Sequence, residues 1–398
     1  MTGYLVRRFI QMIIVVFLSA FASYMILNLA PGGPLAGLTT TQQSTRFRIT
    51  AEDIARIRAY YELDLYFPLR FSRWFIGEPR GSIKIGGLEL FAHTPIGCNQ
   101  VIQGVYKLNG RDVTRNIGCA EYVYLSNLDG RDTSRGVLFL DFGRSWTINR
   151  GQPVSALLLS RLPYTIRLIG FSTLLALLIG IPIGIYSAVK QYSRFDYAFT
   201  SLAFVGSAMP TFFFGLLMIL FFSIIPYSKG WLYMPPGGAD AVRDYLEPGV
   251  GNVVAGSFGD QVLHLILPVL TLTIVSISQW SRYIRASMLD VLRQDYVRTA
   301  RAKGLMERFV IVKHALRNAL IPFITIVVFS LPGLFGGAII TESVFNWPGM
   351  GRLYFTALGQ YDYPVAMSIL FITAILTVIA TLFRDILYTL ADPRIRFS

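Results

Sequence analysis

The sequence predicts an all-α polytopic membrane protein, with six transmembrane helices and a small β-rich region outside the bilayer. Three observations carry this. Of 398 residues, 53% are hydrophobic and only 15% are charged, against roughly 25% charged in an average soluble chain. Mean hydropathy is +0.51. Six apolar runs are each long enough for a membrane helix, which needs about 20 residues. This excludes a soluble globule and exceeds what a single-span anchor requires. A net charge of +13 would suggest nucleic acid in a soluble protein. In a membrane protein, Lys and Arg gather in cytoplasmic loops, so no nucleic-acid partner is expected.

The first run is Phe9 to Ala30, uncharged, after Arg7 and Arg8 and before Pro31-Gly32-Gly33-Pro34. A signal peptide has an apolar core of only about 7–15 residues, and Asn28-Leu29-Ala30 is a poor cleavage site. A retained helix over 1–30 is expected. Residues 31–162 then form a long polar region. Within it, Ala51 to Tyr61 reads as a short amphipathic helix, with Ile54, Ile57 and Tyr61 on one side. Leu108-Asn109-Gly110-Arg111-Asp112 is echoed by Leu128-Asp129-Gly130-Arg131-Asp132. Asn-Gly and Asp-Gly accept the positive φ angles of tight hairpin turns. Strand-like runs stand nearby at Val101–Lys107, Glu121–Leu125 and Val137–Phe142. A small β unit over about residues 80–142 is expected.

The remaining runs are Thr165–Val189, Tyr197–Pro226 (interrupted at Met209-Pro210), Val262–Trp280, Ala319–Ile340 and Val365–Leu390. Six spans place both termini on one side. The N-terminus contributes Arg7 and Arg8, the second-to-third connection Lys190 and Arg194, and the C-terminal part Arg384, Arg394 and Arg396. Nine more basic residues lie between Arg282 and Arg317. The opposite short loops hold Lys229, Arg243 and Arg352. Sixteen against three predicts that both termini are cytoplasmic. Residues 31–162 are then external, together with both cysteines, Cys98 and Cys119. An oxidising compartment permits a disulfide between them.

The spans are nearly bare of the ionisable groups that ion-coupled carriers need. Arg167, His264, Arg384 and Asp385 stand near span ends, where a snorkelling or interfacial group is a simpler reading than a relay, with His264 the best candidate for an exception. No HExxH and no Cys/His cluster occurs, so no metal is expected. A phosphate-binding P-loop ends in Gly-Lys, and none of the six lysines follows a glycine. No enzyme activity and no cofactor are expected in this chain. If it moves solute actively, energy enters through a partner.

The most informative segment joins the fourth and fifth runs. Residues 291–303 lack Gly and Pro and suit a helix. Gly304 is placed to end it, because glycine accepts the left-handed cap conformation. Tyr296, Ala300 and Lys303 fall on one face at helical spacing. Ala300, Ala302 and Gly304 are small enough for close approach by another protein. The alternative is a solvated basic loop.

Thr299-Ala-Arg-Ala-Lys-Gly-Leu305, followed by His314-Ala-Leu-Arg-Asn-Ala-Leu-Ile-Pro322, resembles the EAA loop of binding-protein-dependent ABC importer permeases, in its dipeptide/oligopeptide variant. Ala208-Met209-Pro210-Thr-Phe-Phe-Phe-Gly215 resembles that branch's third-span motif. Thr341-Glu-Ser-Val-Phe-Asn-Trp-Pro-Gly-Met-Gly-Arg352 resembles its external loop between spans five and six. Asp362-Tyr-Pro364, Ala391-Asp-Pro-Arg-Ile-Arg396 and the N-terminal segment fit too. The likeness covers about residues 1–77 and 137–398. Arg298-Thr299-Ala300 replaces the general Glu-Ala-Ala, as the peptide branch does.

The resemblance implies the type I ABC importer fold over residues 163–390, with an EAA loop at about 290–322 and a cytoplasmic tail at 391–398. The β unit, at about 80–136, is then an insertion with no counterpart in the usual permease. Also implied are a second homologous permease, two ATPase subunits that bind ATP and Mg, an external solute-binding protein and the lipid bilayer of a prokaryotic plasma (inner) membrane. Coupling to the ATPase would fall on Asp295, Tyr296, Arg298, Thr299, Ala300, Lys303, Gly304 and Leu305. Met209, Pro210, Gly333, Gly336 and Gly337 are candidates for the translocation pathway, although Gly and Pro in membrane helices often serve packing alone. The solute stays open, since the branch includes members for nickel, glutathione and sugars. So does the make-up of the permease pair. Outside this family, the alternatives are a stand-alone secondary carrier or channel, or a membrane-anchored receptor built around the β unit.

Overall fold

The computed structural model describes residues 2–29, 59, 63, 65–77, 81–108, 111–128, 134–330 and 338–391. Helix α1 is Thr2–Leu29, and α2 (Phe67–Ser72) runs into a π-helical turn, Arg73–Gly77. Strands β1 (Ile83–Ile85) and β2 (Leu88–Leu90) form one antiparallel hairpin; β3 (Pro95–Leu108) and β4 (Arg111–Tyr124) form a longer one. Then come α3 (Val154–Val189), α4 (Arg194–Ala208) and α5 (Thr211–Ile219), the last prolonged by a π-helical turn, Leu220–Ile224, and by Ile225–Ser228. A third hairpin, β5 (Tyr245–Glu247) and β6 (Gly251–Val253), precedes α6 (Phe258–Leu292) and α7 (Asp295–Ala302). A π-helical stretch, Val310–Leu316, leads into α8 (Arg317–Ser330). Helices α9 (Ile339–Val344), α10 (Met350–Gly359) and α11 (Tyr363–Ala391) complete the order.

Among the described residues, five helical stretches are long and apolar enough to cross a membrane: Val6–Leu29, Val154–Val189, Thr211–Ser228, Phe258–Leu292 and Tyr363–Tyr388. The run expected as the fifth span falls on α8, on 331–337 outside the described residues, and on α9. Two boundaries differ from expectation. Helix α3 begins at Val154 rather than Thr165, with Pro163 inside it. Helix α6 runs on to Leu292 rather than stopping near Trp280. Their 36 and 35 residues make rods of about 54 Å, well beyond a hydrocarbon core of about 30 Å. Polar side chains such as Ser160, Arg161, Arg282 and Asp290 therefore extend the helices into water instead of ending them. The Met209-Pro210 break makes α4 a helix of its own, and Thr211–Ser228 suffices to span.

By its internal contacts the chain divides into two units. The first comprises Met1–Val16, Leu158–Phe355 and Ile372–Ser398. Its centre is α6. Ala176 and Ala188 of α3, Trp280, Ile284 and Met288 of α6, Ala315, and Ala319 and Phe323 of α8 form a buried cluster. At Gly184 the α3 backbone lies so close to α6 that a Cβ would stand 2.7 Å from the Ser281 carbonyl oxygen and 2.8 Å from the Ile284 side chain, so no larger residue fits.

Both α4 and α6 start from Ser-x-x-Asp. Ser193 and Ser257 each accept the N–H of the aspartate three residues on, at 3.2 and 3.3 Å, which satisfies one orphan donor of the helix start. Asp196 and Asp260 reach back to the N–H of the residue before the cap, Tyr192 (2.9 Å) and Gly256 (2.9 Å). Asp260 also accepts Ala241 N–H (2.8 Å) and Tyr245 O–H (3.2 Å), and lies 3.2 Å from His264 Nε2. The other ring nitrogen of His264 stands 3.0 Å from the Gly237 carbonyl. His264 and Asp385, two of the groups read as snorkelling or interfacial, are buried and partnered; Asp385 meets Arg8 at 2.6 Å and Arg384 at 2.8 Å.

The second unit comprises Phe17–Leu157 and Thr356–Phe371. Aromatic rings build one part of it. Phe17 and Phe21 of α1 meet Phe71 edge-on at 5.9 and 5.3 Å, Phe71 stacks on Phe75 at 5.5 Å, and Phe371 meets Trp74 at 6.2 Å. A second cluster (Ala59, Leu65, Ile96, Val123, Leu125, Leu128) seats the base of the β3–β4 hairpin. Leu108 pairs with Arg111 at the end of the ladder, and the first Asn-Gly lies outside the described residues. Cys98 on β3 and Cys119 on β4 are disulfide-bonded, their Cα atoms 5.8 Å apart.

Two expectations in this region change, and a third is left untested. The second echo is flanked by 3-10 turns, Leu125–Leu128 and Val137–Phe139, not by strands. Val137–Phe142 is not a strand. Val137 and Phe142 are buried while the three leucine and phenylalanine side chains between 138 and 140 are exposed, which breaks the period of two a half-buried strand needs. The amphipathic helix over 51–61 lies outside the described residues except for Ala59.

Asp362 is wholly buried. It accepts the Ser145 hydroxyl (2.5 Å) and three successive backbone N–H groups, Trp146 (3.1 Å), Thr147 (3.1 Å) and Ile148 (3.0 Å). Such a nest of donors suits an anion.

Two outcomes follow. In non-reduced protein, neither Cys98 nor Cys119 should react with a membrane-impermeant maleimide, and reduction should expose both; labelling without reduction would refute the bridge in the native protein. Asp362→Ala strands four donors and should cost about 3 kcal/mol, read as an earlier thermal unfolding transition in detergent, with Asp362→Asn closer to wild type.

Candidate functional site

The site is the segment after α6. The chain leaves α6 at Arg293, and Gln294 starts α7. The expected single helix over 291–303 is therefore two pieces, with α7 only eight residues long. The Gln294 N–H bonds back to Val291 O at 3.0 Å. A helix so short is marginal alone, so its ends and its buried face must hold it.

Its C-terminal end is held by a Schellman arrangement. Gly304 N–H bonds to Arg301 O (2.9 Å) and Leu305 N–H to Ala300 O (3.4 Å), and Gly304 has φ +75°. Open space surrounds its missing Cβ, so the need for glycine is one of backbone conformation, not of room. The buried face is Val297 and Ala300, packed against Val310 with Val291 and Leu292 alongside. Arg301 forks onto Glu307, with N–O distances of 2.7 to 3.2 Å. This guanidinium holds the Glu307 carboxyl below its ordinary value. The Tyr296 hydroxyl oxygen accepts from Asn318 Nδ2 at 2.8 Å, and the Thr299 hydroxyl donates to Asp295 O at 2.8 Å.

The predicted residues thus sort into two groups. Ala300 packs on its own chain, where the helix needs an apolar face to stay folded. Tyr296, Thr299 and Gly304 shape the segment. Asp295, Arg298 and Lys303 face outward; Arg298 is loosely paired with Asp295 at 3.8 Å, the two side chains 70% and 97% exposed. The sequence reading missed the apolar part of this surface, where Leu305 is joined by Met306, 78% exposed, and by Phe309. The signal was present as Leu-Met-Glu-Arg-Phe directly after the cap glycine.

Of the pathway candidates, Met209 and Pro210 have extended backbone (ψ 130° and 133°) that separates α4 from α5. Gly333, Gly336 and Gly337 lie outside the described residues. The 341–352 motif forms a knot with α3. Glu342, wholly buried, accepts Thr165 O–H (3.2 Å) and Arg352 N–H (2.8 Å). Thr165 Oγ1 in turn accepts Met350 N–H (2.7 Å), and Trp347 Nε1–H donates to Tyr164 O (3.0 Å).

The family model described as "Binding-protein-dependent transport system inner membrane component" matches residues 180–397, which include α4 to α7 and the 341–352 motif. The chain belongs to this family. An oligopeptide transport system permease of Bacillus subtilis (strain 168) is 44% identical over 257 residues, covering 65% of this chain and 76% of that protein. A dipeptide transport system permease of Escherichia coli (strain K12) is 36% identical over 272 residues, covering 66% and 78%. A solved structure of the inward-facing MetNI methionine ABC transporter is 16% identical, with a TM-score of 0.46, covering 60% of this chain and 98% of that one. This inner membrane component is a multi-pass permease subunit of a binding-protein-dependent ABC importer.

The packing of α7 yields a discriminating pair of variants. Ala300→Leu overfills the Val297–Val310 contact and should destabilise α7 by about 1–3 kcal/mol. Ala302→Leu, at an exposed position, should not. Amide hydrogen exchange over 298–305 reports the difference.

Proposed function

We propose that this permease forms half of a translocation pathway for peptides and is driven by separate ATPase subunits that dock on α7 and the turn after it. Supporting the solute class are the names of its relatives, which transport oligopeptides and dipeptides. The observation that carries the coupling reading is the exposed end of α7, where Lys303, Leu305 and Met306 present charge and apolar surface together on a helix fixed by Gly304. An apolar anchor ringed by basic groups suits docking in a groove with carboxylates at its rim.

In this reading the fold is the six-span type I importer fold. Both termini are cytoplasmic, and a second homologous permease completes the pathway. ATP and Mg stay with the ATPase subunits; this chain hydrolyses nothing and holds no cofactor or metal. ATP-driven closure of the ATPase pair moves α7, and the spans reorient to expose a central cavity first to one side and then to the other. Met209 and Pro210, with Gly333, Gly336 and Gly337, shape the pathway. The β3–β4 hairpin, inserted outside the membrane, stands on the side where the solute-binding protein arrives and contributes to receiving it.

Gly304→Asp tests the assignment. It places a side chain where φ is positive and adds an anion to the docking surface. Membrane insertion and assembly should persist, while uptake of a labelled dipeptide falls and ATP hydrolysis no longer tracks it. Normal uptake at normal expression would remove α7 from the coupling role. Wild-type uptake of the dipeptide that is absent without ATP and partner subunits supports an importer over a stand-alone carrier.

A further inference from the structure

Helix α4 is fastened to α6 on one side, while Tyr197, Leu202, Phe204 and Val205 on its other faces are exposed. At its C-terminal end Gly206 abuts Ser278, where a Cβ would stand 2.4 Å from Oγ, and Arg282 lies over the Phe204 ring at 5.2 Å. At its N-terminal end Asp196 receives Arg285 in a fork, Nε at 2.7 Å and Nη2 at 2.8 Å. The Asp196 side chain is only 3% exposed and that of Arg285 25%. Tyr192 N–H (2.9 Å) and Thr200 O–H (3.3 Å) also donate to it, and Ser187 of α3 adds a further side-chain hydrogen bond. The Arg285 hydrogen bonds hold the carboxyl at about 2, so it is ionised at any pH a cell meets.

The position of this pair matters more than its strength. Arg285 lies seven residues before the end of α6 at Leu292, about 10 Å along the same rigid rod, and α7 follows after two residues. Asp196 begins the helix whose other end is the Met209-Pro210 break. A two-pronged ion pair fixes direction as well as distance between α4 and α6, and so resists sliding and rotation of one along the other. We propose that the Asp196–Arg285 fork is the link through which displacement of α7 and the end of α6 is passed to α4, and so to the break before α5. Both residues are positioning residues, and the fork stays closed through the transport cycle. The proposal rests on the reading of α7 as the ATPase-docking helix.

The test uses the complete transporter, purified through a tag on this chain and reconstituted in liposomes, with a binding protein preloaded with trialanine as probe. Asp196→Asn keeps the shape and one acceptor but loses the charge. Basal ATP hydrolysis should persist, while stimulation by the loaded binding protein falls about tenfold, within the range of measured coupling energies. In a second variant, Asp196→Cys with Arg285→Cys, joining the two thiols with a short bis-methanethiosulfonate should restore stimulation, and reduction should abolish it again, with reductant-treated wild type as control.

A merely stabilising pair would not give this reversal. Full coupling in Asp196→Asn, or arrest of turnover on joining the thiols, would overturn the link. Failure of both variants to assemble would also overturn it, since the pair would then be a requirement of folding. Gly304→Asp run in parallel separates the two ideas. If it remains coupled, the α7 reading fails; if it uncouples and Asp196→Asn does not, only the link fails.

Discussion

Inside a bilayer, no water is at hand to satisfy a polar group, so each charge placed near the hydrocarbon must find its partner within the protein. The structure of this permease is organised around that constraint. Asp196 meets Arg285, Asp260 meets His264 and two backbone amides, Asp385 meets Arg8 and Arg384, and Glu342 meets Thr165 and a backbone amide. Within the larger membrane unit each of these joins segments that are distant in sequence or holds a helix end. Inside the spans the buried polar groups are mostly hydroxyls, such as Ser172, Thr271, Thr273 and Ser278, and the carboxylates stand nearer helix ends.

The same economy explains the α7 segment. Eight residues cannot hold a helix by propensity alone, and the short face of Val297 and Ala300 gives it one small apolar anchor on Val310. The Gly304 cap and the Arg301–Glu307 fork fix its exit. The outward residues are thereby free of structural duty, and charge and apolar surface can vary there without unfolding the helix. An exposed surface pair such as Arg301–Glu307 adds well under about 1 kcal/mol; its effect is to set direction.

In the other unit a two-stranded ribbon is marginal in water. The β3–β4 hairpin is seated on its own small core and crossed by the only disulfide the chain can make, on the chain-entropy model a contribution of roughly 3 kcal/mol. The Asp362 nest secures the 145–148 loop by the same logic as the membrane charges, a buried carboxylate with every donor accounted for.

Much was legible in the sequence, because hydropathy, caps and turns act over windows of about 20 residues or fewer. The apolar runs, the Met209-Pro210 break, the hairpin strand ending at Leu108, the Cys98–Cys119 bridge and the cap at Gly304 were all readable locally. Helix ends were read less well, since polar residues past the hydrocarbon lengthen α3 and α6 rather than stopping them. Two things only the tertiary structure decided. One is which way a motif residue faces: Ala300 packs against Val310 of its own chain. The other is where each charge goes. Asp196 finds Arg285 across 89 positions and Asp362 finds Ser145 across 217, separations over which no local pattern operates. Their pairing follows from the cost of leaving a buried carboxylate alone, and the folded chain is what brings the donors within reach.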